Sequence, residues 1–385
     1  MRSTLLALPL IGSALAARPF LNEPDTGIDE IFGSLPTGQL VPLEKIVALH
    51  DFDYAARKFL IPANYTYYRN GAGGEWSYRN NLEVFQRFSM RPRVMVDVTG
   101  IEKTLPTTIL GHNFSAPFFI CPASRAANGN PKDVERGLIE GAAAGGILYN
   151  KAGFSDLSHE EVGAIADKTG QTFFSQIYLS DNDTTTQIQF DRAKKSGAKA
   201  IIWTLDSAGD GVRHRASRYS MGSANTDLSL QTWDYYKKLT SMTDLPIVLK
   251  GVQTVEEAQE AVQNGVKAIW LSNHGGRQLD GSRSALEVAL EIHQEAPEVF
   301  KSIEVYADGG VRYGTDVLKL LALGVRAVGL GRPFMYANIY GTKGVEHLVK
   351  LLKNEIINDG ANAGIADIHN ISPKAVNWNT NHWYS

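Results

Sequence analysis

One pattern governs the whole chain. From Pro117 to Leu330, short apolar runs recur eight times, with longer amphipathic stretches between them. The runs are Phe118–Cys121, Gly146–Leu148, Thr172–Gln176, Ala200–Thr204, Ile247–Lys250, Ala268–Ser272, Glu304–Ala307 and Ala327–Leu330. Helical spacing fills the intervals, as in Val134–Ala144, Thr254–Asn264 and Thr315–Leu323. Gly145, Gly197, Gly265 and Gly324 stand where helices would stop. Parallel strands need such crossovers, and eight units in a row predict a (β/α)8 TIM barrel. A doubly wound open sheet is the alternative. No G-x-G-x-x-G follows the first strand, which counts against its nucleotide-binding form.

Residues 116–385 are therefore read as the barrel with C-terminal helices, and residues 18–115 as a short N-terminal helical cap and linker. Helices are expected at Leu43–Phe59 and Tyr78–Phe88. Arg2, the apolar run Leu5–Ile11 and Ala14-Leu15-Ala16 read as a cleaved signal over residues 1–17. A secreted protein is expected, and four N-x-S/T sequons, at Asn64, Asn113, Asn182 and Asn370, suggest glycosylation. The run is too short to span a bilayer. A net charge of −3 gives no reason to propose nucleic acid as a partner. Cys121 is the only cysteine, so no internal disulfide forms. No metal-ligand spacing and no G-x-S-x-G motif is present.

In a barrel, chemistry gathers at the C-terminal ends of the strands. Those ends carry Pro122-Ala123-Ser124, Lys151, Gln176 with Tyr178, Thr204 with Asp206, and Lys250. Ser272 with His274 and Arg277, Asp308-Gly309-Gly310 with Arg312, and Gly331-Arg332 complete the ring. The loops after strands seven and eight combine glycines with arginines, which suits a phosphate. Lys250 could bind phosphate, form a Schiff base or offset charge on a cofactor ring. Within Ser272-Asn273-His274-Gly275-Gly276-Arg277-Gln278-Leu279-Asp280, His274 supplies a base and Arg277 a carboxylate clamp. Asp206 could orient His274 and stabilise its protonated ring.

From about Tyr65 to about Gly341 the chain resembles the FMN-dependent α-hydroxy acid oxidases and dehydrogenases, the group of glycolate and lactate oxidases. The nine residues from Ser272 to Asp280 carry the resemblance, with Lys250-Gly251-Val252, Asp308-Gly309-Gly310 and Gly331-Arg332-Pro333. It implies FMN as cofactor and oxidation of a 2-hydroxy acid to a 2-oxo acid. His274 would be the base, supported by Asp206. Arg277, Arg213 and Tyr65 would hold the substrate carboxylate, and Tyr178 its hydroxyl. Lys250 would lie at the flavin N1–O2 edge, with Gln176 and Thr204 on the pyrimidine side. Pro122, Ala123, Ser124, Lys151 and Ser272 would line other parts of the flavin. Asp308, Gly309, Gly310, Arg312, Gly331 and Arg332 would take the phosphate end.

No haem segment is read in the chain, so molecular oxygen is the expected acceptor, giving hydrogen peroxide. The family often forms tetramers, which makes a homotetramer the suggested assembly. Arg125 and Lys151 depart from the family pattern, and the segment after Arg213 is short. Both features point to an alternative: a flavin-dependent oxidase or dehydrogenase with a substrate larger or more acidic than glycolate.

Overall fold

The computed structural model describes residues 26–179, 182–222 and 228–379. The eight barrel strands are β1 (Phe118–Ile120), β2 (Leu148–Lys151), β3 (Phe173–Ile177) and β4 (Ile201–Thr204), then β5 (Ile247–Val252), β6 (Ala268–Leu271), β7 (Glu304–Asp308) and β8 (Ala327–Leu330). Neighbours pair in parallel, and β8 closes on β1 through Val328–Phe118, Gly329–Phe119 and Leu330–Ile120. All eight expected strands are present and form the barrel.

Alternation along the strands divides the side chains into two layers. One set fills the barrel: Phe119, Leu148, Phe174, Ile202, Val248, Trp270 and Tyr306 form a separate buried cluster. Phe119 meets the Trp270 ring edge-on at 4.8 Å, so the interior is packed and not a pore. The other set meets the surrounding helices. The long helix Thr342–Asn362 packs between its neighbours at Arg136–Gly145 and Gly314–Leu323.

The second strand is displaced from its expected place. Gly146 is left-handed, at φ 65°, and caps the preceding helix, so β2 starts at Leu148 and runs to Lys151. Sequence hydropathy stops at Leu148. The strand continues because Tyr149, Asn150 and Lys151 are all buried with polar partners or apolar neighbours.

β5 carries an irregularity between Lys250 and Val252. Gly251 sits there at φ 111°, and a Cβ on it would lie 2.5 Å from Asp206 N. The missing side chain lets the turn after β4 approach β5. That approach sets Asp206 beside Lys250.

The cap consists of helices Leu49–Phe59, Pro62–Arg69 and Trp76–Glu83. The expected helix from Leu43 is broken into a 3-10 turn at Leu43–Lys45 and a helix from Leu49. Asp51 holds that start by accepting from Val47 N and Ala48 N. The cap is fastened to the turn after β6. Ala72 N donates to Gly276 O, Asp280 accepts from Gly74 N and Ser77 N, and Asn81 and Asn273 exchange two amide bonds. No described helix is long and apolar enough to cross a membrane.

Candidate active site

At the C-terminal mouth of the barrel the strand ends line an open cavity. Its wall includes Pro122, Ala123, Ser124, Gln176, Tyr178, Thr204, Arg213, Lys250, His274 and Arg277. Asp308, Gly309, Gly310, Arg312, Gly331 and Arg332 line it as well. Residues up to 210 positions apart are brought together by the closed ring.

The base is built from two strand ends. His274 Nδ1 lies 2.6 Å from Asp206 Oδ1. The Asp206 side chain is buried, whereas the His274 side chain is 21% exposed, toward the cavity it lines. His274 has a left-handed backbone, φ 58°, as do Gly275 and Gly276 after it. For a residue with a Cβ this costs about 1–2 kcal/mol. The His274 N–H bond to Ser272 Oγ (3.0 Å) and the ring's bond to Asp206 hold the strained turn.

Burial pushes the His274 ring below the ordinary imidazole value. Asp206 opposes this, while Lys250 and Arg213 add to the lowering, to about 4. The ring is therefore neutral near pH 7 and can accept a proton. Burial alone would raise Asp206, but Lys250 and His274 hold it near 2. Lys250 Nζ lies 3.2 Å from Asp206 Oδ2 and 3.1 Å from Ser272 Oγ; burial opposes its charge, but the Asp206 and Asp308 carboxylates raise it above the ordinary lysine value. The ammonium stays charged at the cavity wall.

Two guanidinium groups share the cavity wall with the base. Arg213 Nε donates to Arg277 O at 2.8 Å, and its NH2 contacts Gln278 Oε1. Arg277 NH1 donates to Tyr67 O at 2.8 Å. Burial and then Arg213 push Arg277 down, to about 10, so both remain charged at neutral pH. No carboxylate pairs with either among the described residues. Two like charges held in a cavity favour an anion there. Tyr178 is pushed up to about 12, first by burial and then by Asp206, so its hydroxyl keeps its proton.

The other end of the cavity suits a phosphate. Gly309 and Gly310 are left-handed, at φ 98° and 84°. A Cβ on Gly310 would stand 1.7 Å from Asn81 O. Gly310→Ala is therefore expected to destabilise the protein by about 2 kcal/mol or more and to lower its flavin content. Denaturant unfolding and absorbance of the purified variant would measure both.

Three expected contacts are corrected. Tyr65 is not in the cavity wall. Its hydroxyl donates to Asp53 (2.9 Å) and its ring stacks on Tyr336. Tyr67 and Tyr68, further along the same helix, line the cavity instead, and Arg277 lies 5.3 Å from the Tyr67 ring centre. Lys151 points out of the barrel. Its Nζ donates to Ala152 O and Ser155 Oγ, and burial lowers it to about 8. Its neighbour Asn150 takes the inward position, because adjacent strand residues face opposite ways. Ser272 lies behind the wall and ties Lys250, Asp308 and the His274 N–H together. Arg332 is in the wall, but it also bonds the carbonyls of Tyr68, Asn70 and Gly275. It fastens the cap as well as adding charge.

The donor set fits FMN. Gln176 and Thr204 are joined by a 3.0 Å bond beside Lys250, which gives an amide, a hydroxyl and an ammonium for a polar heteroaromatic edge. Among the described residues, Asn150 Oδ1 is buried with no hydrogen-bond partner. Glycines and Arg312 at the other end suit a phosphate. No group of three or more His, Cys, Asp or Glu suited to a metal occurs among the described residues.

The fold and this wall suit a flavin-binding barrel, and comparison with known proteins shows the family. The sequence profile of the FMN-dependent dehydrogenase family matches residues 56–230 and 220–378. The chain belongs to that family. It is 34% identical over 371 residues to L-lactate dehydrogenase (cytochrome) of Saccharomyces cerevisiae, covering 89% of this chain and 62% of that protein. The chain thus spans less than two thirds of that relative. It is 35% identical to peroxisomal (S)-2-hydroxyacid oxidase GLO3 of Arabidopsis thaliana, covering 86% of this chain and 96% of the relative. The flavin-binding domain of baker's yeast flavocytochrome b2 superposes with a TM-score of 0.84 at 35% identity, over 92% of this chain and 91% of that one.

These relatives overturn the expectation of a secreted glycoprotein. The Arabidopsis oxidase, which this chain spans almost entirely, is named as peroxisomal. Residues 1–17, on which secretion rested, lie outside the described residues. Two of the sequon asparagines have structural bonds: Asn64 donates to Asn128 O, and Asn182 Oδ1 caps the helix Asp183–Lys195.

Proposed function

We propose that this chain oxidises a 2-hydroxy acid to the 2-oxo acid with FMN as cofactor. One observation carries the reading: a neutral, carboxylate-oriented imidazole and two uncompensated guanidinium groups face one cavity. Arg213 and Arg277 bind the substrate carboxylate. Tyr178 donates to the substrate oxygen or accepts from its hydroxyl. The reaction breaks the substrate Cα–H and O–H bonds and forms C=O, releasing two protons and two electrons. His274 Nε2 takes one proton, and Asp206 stabilises the resulting imidazolium. FMN, when bound, would accept the electron pair together with the second proton. Lys250, charged at the cavity wall, would offset negative charge on the bound cofactor. Fixing the carboxylate on two arginines holds the α-carbon in one orientation, a contribution that can be worth several orders of magnitude in rate.

Anaerobic addition of 2-hydroxy acids to the yellow holoprotein tests the reading: bleaching supports it, and no bleaching with any of them overturns it. The relatives' names include both a cytochrome-linked dehydrogenase and an oxidase. Hydrogen peroxide formed in step with the oxo acid under air would place this chain with the oxidases. Turnover only with an added one-electron acceptor would make it a dehydrogenase.

The pH profile follows from His274. Its folded value, about 4, is below the ordinary 6.5, so the base form is complete at neutral pH. The acid limb of kcat/KM should fall as pH drops through about 4. A limb centred near 6.5 would show that the ring is not desolvated. The same shift makes the folded state hold fewer protons than the unfolded chain between about 4 and 6.5. This group's contribution to stability is complete above 6.5 and is lost as pH falls toward 4.

A further inference from the structure

We propose that Arg125 binds a second carboxylate, so that the preferred substrates are 2-hydroxydicarboxylates; this rests on the function proposed above. Arg125 follows the cavity-lining residues Ser124 and Ala123 at the end of β1. Its guanidinium carbon lies 4.9 Å from the centre of the Tyr67 ring. Arg277 lies 5.3 Å from the same ring centre. One cavity-lining ring therefore carries both the substrate clamp and a further cation. With one guanidinium carbon 4.9 Å and the other 5.3 Å from the centre of that ring, a short dicarboxylate can place one end on each arginine.

The side chain is held in place without being neutralised. Its backbone is left-handed, φ 58°, and its carbonyl accepts from Tyr68 Oη at 2.7 Å. Its NH1 contacts Met221 Sδ at 3.8 Å, a weak acceptor from the segment after β4. No ion pair joins Arg125 to a carboxylate among the described residues. Asp156 instead accepts from Ala127 N, at 2.9 Å. A guanidinium stacked on a ring uses its flat face, which leaves the in-plane N–H edge for a bidentate carboxylate. The position is half-buried, where a charge-assisted pair is stronger than in open solvent.

The test compares malate and 2-hydroxyglutarate with lactate and 2-hydroxyvalerate, by anaerobic flavin reduction and by kcat/KM. The wild type is expected to favour the dicarboxylates about tenfold or more over 2-hydroxyvalerate. Arg125→Asn keeps a residue type that accepts left-handed backbone. It should lower that dicarboxylate preference by ~10- to 100-fold, and Arg125→Lys should restore part of it. Flavin absorbance reports whether each variant is assembled. A wild type that prefers the monocarboxylates, or a preference unmoved in Arg125→Asn, overturns the inference and leaves the proposed function standing. Failure of all four acids to reduce the flavin overturns both.

Discussion

Replacing His274 by alanine should leave a yellow, folded protein whose flavin a 2-hydroxy acid no longer reduces at a useful rate. A positioned general base contributes about 10²–10⁴-fold, so a loss at the upper end is expected. The reason is geometric. Asp206 and Lys250 lie behind the ring, and among the described residues no other imidazole lines the cavity. The imidazole's bond to Asp206 braces only the local turn, whose backbone bond to Ser272 Oγ remains without it. Its removal opens space on the cavity side and leaves Asp206 paired with Lys250. Stopped-flow reduction at saturating substrate measures the effect. A variant that loses its flavin would show that the ring's main task is to hold the strained turn from His274 to Gly276.

The second large effect is expected at Arg277. Arg277→Lys should raise KM strongly while the flavin content stays near that of the wild type. Removing one partner of a buried charge pair costs about 2–5 kcal/mol, and a lysine recovers little of it, because a point charge cannot form two parallel bonds. The loss should appear mostly in substrate binding. Arg213 remains in place, but it bonds Arg277 O and Gln278 and so has less freedom to take over. Titration with a non-reacting 2-oxo acid, followed by flavin absorbance, separates affinity from rate. Unchanged affinity would remove Arg277 from the clamp.

Much of this site was legible in the sequence, for identifiable reasons. Strand ends lie next to apolar runs, so Gln176, Thr204, Lys250, Asp308 and Gly331 could be placed from hydropathy alone. His274 and Arg277 share one turn, which fixes their relation locally. The misplacements also have physical causes. β2 has polar residues in its buried half, so the apolar run gave the wrong frame, and a shift of one residue exchanges Asn150 for Lys151 at the interior. Tyr65, Tyr67 and Tyr68 share one helix, and which of them faces the barrel depends on how the cap docks. That docking is set by contacts across more than 200 residues, such as Arg332 to Tyr68 O and Asn70 O. Arg125 stood out as unusual in the sequence, but only its place on the Tyr67 ring gives it a target.

The clasp between the N-terminal helices and the turn after β6 also bears on biosynthesis. Tyr68, Asn70 and Ala72 leave the ribosome early, yet Arg332 and Gly276, which tether them, are made far later. The roof over the catalytic chamber must wait, unanchored, until most of the polypeptide exists. Such long-range closure is slow and leaves sticky surface uncovered meanwhile. Truncation from either end should then cost the chamber before it costs the ring of strands beneath.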